Sequence, residues 1–409
     1  MVGSQIDSLC IVQDDHDDWA HEASKMSTVY HNAFVTISAT ASRSGEEGLF
    51  RSYTEYEVEL RSGRIKAATL IFCEKRSHMD EFSDPLSSAR PSDKFPLNKR
   101  AWGLQERLLS TRVLHYTYSE LAFECMRGYE CECSGVTDMA WNSFTQAPKT
   151  SMRTDLPLPE YREVWKTIVS QYSHRQLTYS GDKLVAIAGL AKRFAKPDDR
   201  YIAGLWRSNL REQLQWRATR PRLRSKLAPR PTWRAPSWSW AAVDTSIEYM
   251  DSGAHDSSYM GSESETSFAK ILDCYVEPKA TDLYGELRSG MLRLLGRCTP
   301  VVWGKAHSKG SGRDRDYITF PNRSDRLVRW DTSDVSAHAP GTPLEDSDLT
   351  CIFFSVSSSY RTALVLRRLE SGKDVFVRVG MTWEGCGLNR YAENIDNLFP
   401  SEKSVVEII

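Results

Sequence analysis

The first third of the chain alternates short apolar runs with segments of helical period. Ile6 to Val12 is an apolar run fit for a buried strand, a helical pattern starts near Trp19, and Phe34 to Ala39 is strand-like again. A loop rich in Ser, Asp, Arg and Pro, about 77–96, precedes a second conspicuous helix. Further on, Leu184, Ile187, Ala188, Ala191 and Phe194 recur at helical spacing, with Ser180 or Asp182 placed as an N-cap. A second helix is predicted through Ile202, Leu205, Trp206, Leu210 and Leu214, ending at a Pro- and Arg-rich linker, Arg217 to Arg234.

The last part reads as strands: Ser237–Val243, Phe268–Val276, Met291–Gly296, Leu349–Val356, Thr362–Leu369 and Asp374–Gly380. Leu366 to Val379, with Glu-Ser-Gly-Lys at its centre, has the form of a hairpin. Two polar segments, Asp251–Ser267 and Ala306–Asp348, read as mobile loops. No repeat of fixed period runs through the chain. The predicted class is α+β: an α/β block at 1–134, a helical connector at 135–230 and a β-rich domain at 231–409.

Composition narrows the class of partner. The 53 Lys and Arg balance 54 Asp and Glu, a net charge of −1, which argues against a generally nucleic-acid-binding surface. The balance hides a split. No Lys or Arg precedes Lys25, whereas Trp206 to Arg234 carries nine of them beside Trp206, Trp216 and Trp233. Basic side chains interleaved with aromatics suit single-stranded nucleic acid. Three prolines and no recognisable module favour a solvated basic linker instead. No apolar run approaches the roughly 20 residues of a membrane helix, and no charged-then-apolar leader opens the chain. The nine cysteines, odd in number and scattered from Cys10 to Cys386, read as reduced thiols of a cytoplasmic protein.

Candidate chemistry is sparse. Asp14, Asp15, Asp17 and Asp18 precede the first long helix, where acids complement the positive end of the macrodipole; capping is favoured over a divalent metal. On a helical wheel from Trp19, the residues Ala23, Met26, Tyr30 and Ala33 form one apolar stripe that Val29 widens. Glu22 falls inside that stripe, where a carboxylate suffers desolvation unless it is paired. Such acids are enriched at active sites, but a first-turn glutamate satisfied by amides or an Arg is the preferred reading. Arg100 and Glu106 could position a polar ligand, although the set Arg100, Gln105, Glu106 and Arg107 reads first as a solvated, salt-bridged helix face. Cys125, Cys131 and Cys133, downstream of His115, lack a second well-spaced pair, so buried thiols are favoured over zinc and no metal is assigned. Serine-hydrolase, zinc-protease and P-loop motifs are missing from the sequence. Trp238 and Trp240, at period two, are placed on one face of a strand as sheet core.

Taken in order, these segments resemble the fungal heterokaryon incompatibility (HET) domain family. The matching pieces are Ile6-Asp7-Ser-Leu-Cys-Ile-Val-Gln13-Asp14-Asp15, then Asp18-Trp19, Glu22, Met26, Tyr30 and Asn32-Ala33. Thr36-Ile-Ser-Ala-Thr40, Gly48-Leu-Phe50, and Arg100-Ala-Trp102 with Gln105-Glu106-Arg-Leu-Leu109 follow. Leu177-Thr-Tyr, Asp182-Lys-Leu, Gly204-Leu-Trp206 and Ala235-Pro-Ser-Trp-Ser-Trp240 look like companion segments of such proteins. The resemblance implies non-self recognition between fungal cells with programmed cell death as output, and protein partners through self-association or an incompatibility partner. It also implies a distant, TIR-like, three-layer fold. Some TIR domains cleave NAD with a helical glutamate, and Asp18-Trp19-x-x-Glu22 is the similar position here, making Glu22 the candidate catalytic acid and NAD a candidate substrate rather than a cofactor. A nucleic-acid adaptor acting through Arg217 to Arg234 is a further alternative. Proteins of this kind carry an earlier strand with Ser-Tyr-x-Trp-Gly. Its lack here leads us to expect an incomplete first domain, poorly folded alone and inactive on NAD.

Overall fold

The computed structural model describes residues 5–12, 14–50, 55–63, 65–73, 95–118, 120–132, 149–152, 157–219, 227–249, 269–307, 314–321, 325–333, 348–356, 360–369, 373–385 and 398–409. The chain forms two compact units, Met1–Leu177 and Thr178–Ile409. Helix and strand are mixed throughout.

The first unit begins with α1 (Asp7–Cys10) and α2 (His16–Asn32), followed by β1 (Thr36–Ser38). A hairpin of β2 (Glu55–Ser62) and β3 (Ile65–Cys73) stands as its own two-stranded sheet. Then come α3 (Ala101–Leu109), β4 (Arg112–Tyr116), β5 (Leu121–Cys125), β6 (Gly128–Cys131) and α4 (Leu158–Ser173). The main sheet runs β1-β4-β5-β6, with β1 parallel to β4 and the remaining pairs antiparallel. Alternation along the strands puts Val113, His115, Ala122, Glu124, Tyr129 and Cys131 on the buried side. On α4, Tyr161, Trp165, Ile168, Val169 and Tyr172 recur at helical spacing and are all buried.

One expectation for this unit is corrected. Ile6 to Val12 is not a buried strand: a one-turn helix occupies it, with the Leu9 and Cys10 amides on the Ile6 carbonyl, and Leu9 is 79% exposed. Asp7 and Ser8 interrupt the apolar run, and such residues favour local turns over ladders. The β2–β3 hairpin is an addition to the expected elements, although Glu55-Tyr-Glu-Val-Glu-Leu60 alternates charged and apolar residues in the manner of a strand. The polar loop at 77–96 falls mostly outside the described residues.

The second unit holds α5 (Val185–Arg193), the two-residue strands β7 (Tyr201–Ile202) and β8 (Leu205–Trp206), α6 (Leu210–Gln213), β9 (Trp216–Ala218) and β10 (Ile247–Tyr249). The expected second helix is replaced by the β7–β8 hairpin. Ala203 and Gly204 both take positive φ, 49° and 89°, the turn geometry that closes two-residue hairpins. Neither Ser180 nor Asp182 caps α5; both lie in a 3-10 turn, and Leu184 occupies the cap position without a side-chain bond.

Nine strands build the large sheet: β11 (Lys270–Pro278), β12 (Leu287–Pro300), β13 (Val302–His307), β14 (Asp314–Thr319), β15 (Asp325–Trp330), β16 (Leu349–Val356), β17 (Tyr360–Arg368), β18 (Val375–Gly385) and β19 (Lys403–Ile408). Four antiparallel pairings and one parallel pairing, β18 with β19, close β12-β16-β17-β18-β19 into a barrel. Closure removes the unpaired edges of those strands. Strand β16 is apolar on both faces, because one side fills the barrel and the other carries Leu349, Cys351 and Phe353 into a second core with Val301, Ile318, Phe320, Val328 and Trp330. The Leu366–Val379 hairpin forms as β17 and β18. By contrast, Ala306–Asp348 is not one loop, since β14 and β15 lie within it; Asp251–Ser267 lies outside the described residues.

The Trp238–Trp240 segment is corrected too. It is no strand but a 3-10 turn, Trp240–Ala242, capped by the Ser239 hydroxyl. Both indoles are nonetheless fully buried. Trp240 Nε1 donates to the Gly204 carbonyl (3.0 Å), Ser239 Oγ to that of Ala203 (2.6 Å), and Trp216 Nε1 to that of Trp238 (3.0 Å). A Cβ on Gly204 would lie 2.6 Å from Trp240 Nε1, so only glycine fits. Lys183 Nζ donates to the Val243 carbonyl (2.6 Å), and burial pushes that amine down to about 7. Segments scattered over 60 residues thus share one core.

The basic stretch is not a free linker where it is described. Arg217 lies in β9, pairs with Glu248 (2.9 Å) and stacks on Trp383. Arg234 donates to the carbonyls of Ser180, Ala241 and Val243 and pairs with Asp244. Arg230 donates to the Arg378 carbonyl (2.9 Å). Arg378 is itself fully buried, pairs with Asp331 (3.0 Å), donates to the carbonyls of Leu214 and Trp216, and lies 3.6 Å from the Trp216 ring centre. Among the described residues no helix is long and apolar enough to cross a membrane.

Candidate functional site

The acids expected before the first long helix fall on either side of its start, with Asp17 and Asp18 in its first turn, and those described act locally. Asp15 precedes the helix and its Oδ1 accepts the Asp18 amide (3.0 Å), an N-cap bond. Asp18 Oδ2 accepts the Val12 amide (2.8 Å) and ties the incoming chain down. Asp14 is exposed. Asp7 begins α1, and Gln13 lies outside the described residues. Among the described residues no cluster of three His, Cys, Asp or Glu is arranged to hold a metal; Cys131 is buried, Cys125 half-buried, and Cys133 lies outside the described residues.

Further along α2, Trp19 meets Trp102 of α3 edge to face, with centroids 6.3 Å apart. Met26 is buried and Tyr30 half-buried, which orients the apolar stripe toward α3. Glu22 lies one turn beyond Trp19, its side chain 20% exposed, and Oε1 accepts Lys25 Nζ at 2.8 Å. A partner one turn along the same helix meets the desolvation that its wheel position implied. Gly48 has φ 68°, and beside it Phe50 packs edge to face on Tyr116 (5.7 Å).

The segment around α3 divides in two. Arg100 is exposed, its backbone bridged to Gln176, and Trp102 and Glu106 are half-buried. Gln105 and Arg107 are buried, so the picture of a solvated charged face fails for that side of the helix. The reason is a partner from β5: Arg107 Nε and Nη2 clasp Glu124 Oε2 and Oε1 at 2.8 and 2.9 Å, a bidentate pair 1–2% to 8% exposed. His115 Nε2 lies 3.1 Å from Glu124 Oε2, and its Nδ1 3.0 Å from Thr40 Oγ1.

Electrostatics sets the protonation of this group. Burial by itself pushes the Glu124 carboxyl up, but the Arg107 charge and the bonds from His115 and Arg107 outweigh it and hold it far below the usual carboxylate range. Burial lowers His115, leaving a neutral ring. A carboxylate only accepts, so Nε2 carries the proton and Nδ1 accepts from the Thr40 hydroxyl. Thr40 Oγ1 in turn meets the half-buried Ser38 hydroxyl at 2.9 Å. A second link runs from Thr36 Oγ1 to Ser110 Oγ (2.6 Å), which donates on to the Glu106 carbonyl, while buried Lys149 donates to the Ser110 carbonyl. Burial pushes Lys149 down to about 8.

The network therefore joins β1, β4, β5 and α3 around a carboxylate closed off from solvent. Its chemistry is fixation, since Thr40, His115 and Glu124 are each at most 3% exposed. Glu124 is not marked by any motif and Thr40 enters only as the end of a family segment; the pairing of β1 with β4 and of β4 with β5 brings both to His115. A Glu at the alternation's inward position of β5 is the one local signal.

The first unit thus mixes helices with a small, mostly antiparallel sheet around an internal polar network. Residues 6–106 match the family model for Heterokaryon incompatibility protein (HET). The matched residues span α1, α2, β1, the β2–β3 hairpin and most of α3. No curated protein and no solved structure matches the chain.

Proposed function

We propose that this chain is a heterokaryon (vegetative) incompatibility protein, acting in non-self recognition that ends in programmed cell death. The HET match over residues 6–106 carries this reading. What supports the first unit as a folded module in that role is the Arg107–Glu124–His115 group, held closed off from solvent at its centre. The test is controlled expression of the chain in a fungal cell beside Glu124→Gln. Growth arrest by the parent and its loss in the variant is the expected result. Normal growth under the expressed parent protein sinks the proposal.

A second reading is NAD hydrolysis with Glu22 as carboxylate. Its support is the Trp19-x-x-Glu22 spacing on α2 and the partial exposure of the acid. Incubation with NAD decides it. No cleavage removes the enzyme reading, and cleavage that survives Glu22→Ala removes Glu22 as its carboxylate.

A further inference from the structure

The β2–β3 hairpin presents both of its faces to water. Every side chain described in it is exposed, and Tyr56, Val58, Leu60, Leu70 and Ile71 are between 41% and 60% exposed. One face carries Tyr56, Val58 and Leu60, with Leu70 opposite Val58 and Ala68 opposite Leu60. The other carries Glu57, Glu59 and Arg61, and Arg61 Nη2 pairs with Glu59 Oε2 at 2.8 Å. Among the described strands each of the two pairs only with the other, so both keep an open edge. A lone two-stranded hairpin is marginal in water, and a third strand or a covering surface is what stabilises one.

The two edges differ. On β3, Ala67 has no residue opposite it between the Leu60–Ala68 and Arg61–Lys66 pairs, a bulge of the kind that blunts an edge. Strand β2 runs from Glu55 to Ser62 with no extra residue. Its charge order is self-complementary, acids first and Arg61 towards the end. Laid antiparallel against a second β2 with Leu60 opposite Leu60, each strand sets Glu59 opposite Arg61 of the other copy and Val58 opposite Ser62. A slip of two residues places Glu59 opposite Glu59 in one direction and Arg61 opposite Arg61 in the other, and like charges directly opposite destabilise. A slip of one residue turns the charges onto the apolar face. Charge thus favours a second copy as the partner and selects one register.

We propose that the open edge of β2 is the seam of a symmetric dimer, in which two copies of this chain join their hairpins into one four-stranded antiparallel sheet, β3-β2-β2-β3, about a two-fold axis at Leu60. The seam supplies main-chain partners to both open β2 edges and brings the two Leu60 side chains together. It is short, under the roughly 1,200 Å² of a standard interface, so the dimer is weak, with a dissociation constant on the order of 100 μM. The proposal rests on the hairpin alone and is independent of the incompatibility role.

Sedimentation equilibrium of the full chain, from about 10 μM to about 1 mM so as to span that constant, tests it. A monomer at the lower end and a dimer at the upper end is the expected result. Glu59→Arg and Arg61→Glu should each weaken the dimer by at least about tenfold, because each sets like charges opposite one another twice across the seam. An equimolar mixture of the two variants should dimerise again, since acid then faces base at both positions. Both side chains are exposed, 41% for Glu59 and 67% for Arg61, so neither change removes a packed group, and recovery in the mixture separates a broken seam from a damaged fold. A chain monomeric throughout, a dimer that either variant leaves unchanged, or a mixture that stays monomeric overturns the proposal. The measurement reads mass in solution, so its failure leaves the growth experiment untouched.

Discussion

Glu124→Gln isolates the charge at the centre of the first unit. The amide keeps the shape of the side chain but leaves the Arg107 guanidinium buried without its counter-charge, having lost two charge-assisted contacts at 2.8 and 2.9 Å. It also leaves His115 facing a weaker acceptor. Breaking a buried pair from one side costs about 3–5 kcal/mol, because the surviving ion keeps its desolvation penalty. The protein has two units, so a single global unfolding energy is ill defined. Hydrogen exchange read by mass spectrometry localises the effect. Amides of β4 and β5 that exchange by opening of the unit should accelerate by roughly 100-fold to several thousand-fold, at about 1.4 kcal/mol per factor of ten. Peptides from β12 and β16 serve as an internal control and should not change. Arg107→Met should accelerate the same amides, whereas Arg107→Met with Glu124→Leu should cost less than the sum of the single changes, since replacing a whole buried pair by apolar groups is often nearly neutral. Acceleration below tenfold in Glu124→Gln, or additive single changes, would refute the account of the network.

Acid should loosen the same region. The folded-state values of Glu124 and His115 both lie below their ordinary ones, so the folded unit binds fewer protons and stability falls as pH falls. Protection of β4 and β5 is expected to decline first below about pH 6.5, from His115, and again below about pH 4.5, from Glu124, and the second step should vanish in Glu124→Gln. In the second unit, Gly204→Ala should destabilise by roughly 2 kcal/mol or more, since a positive φ of 89° is combined with a 2.6 Å approach to Trp240; thermal unfolding of the variant measures it, and a shift under about 1 °C speaks against the contact. Glu22→Ala should change the stability of α2 by no more than about 0.5 kcal/mol, because its pair with Lys25 is a partly exposed neighbour on one helix; hydrogen exchange along α2 reports it.

Where a single periodicity ran uninterrupted, the chain was legible without tertiary information. The helix from His16 to Asn32 and the strands Leu349–Val356 and Tyr360–Arg368 follow directly from apolar spacing, because each buries a continuous stripe or both faces. The HET resemblance in the N-terminal quarter was likewise readable, being an ordered set of local motifs. Misreadings fell where one residue overrides the pattern. Ala203 and Gly204 turn a helical spacing into a hairpin, and Ser239 caps a 3-10 turn where alternation suggested a strand. Only the tertiary structure decided the polar interior. Arg107 and Glu124 are 17 residues apart, His115 and Thr40 75 apart, and Arg378 lies 47 residues from Asp331 and 162 from Trp216. A charged residue looks alike in sequence whether it faces water or a buried partner. Which one it meets is set by strand register and helix placement, and burial then converts that neighbour from a weak contact into the group that fixes the fold.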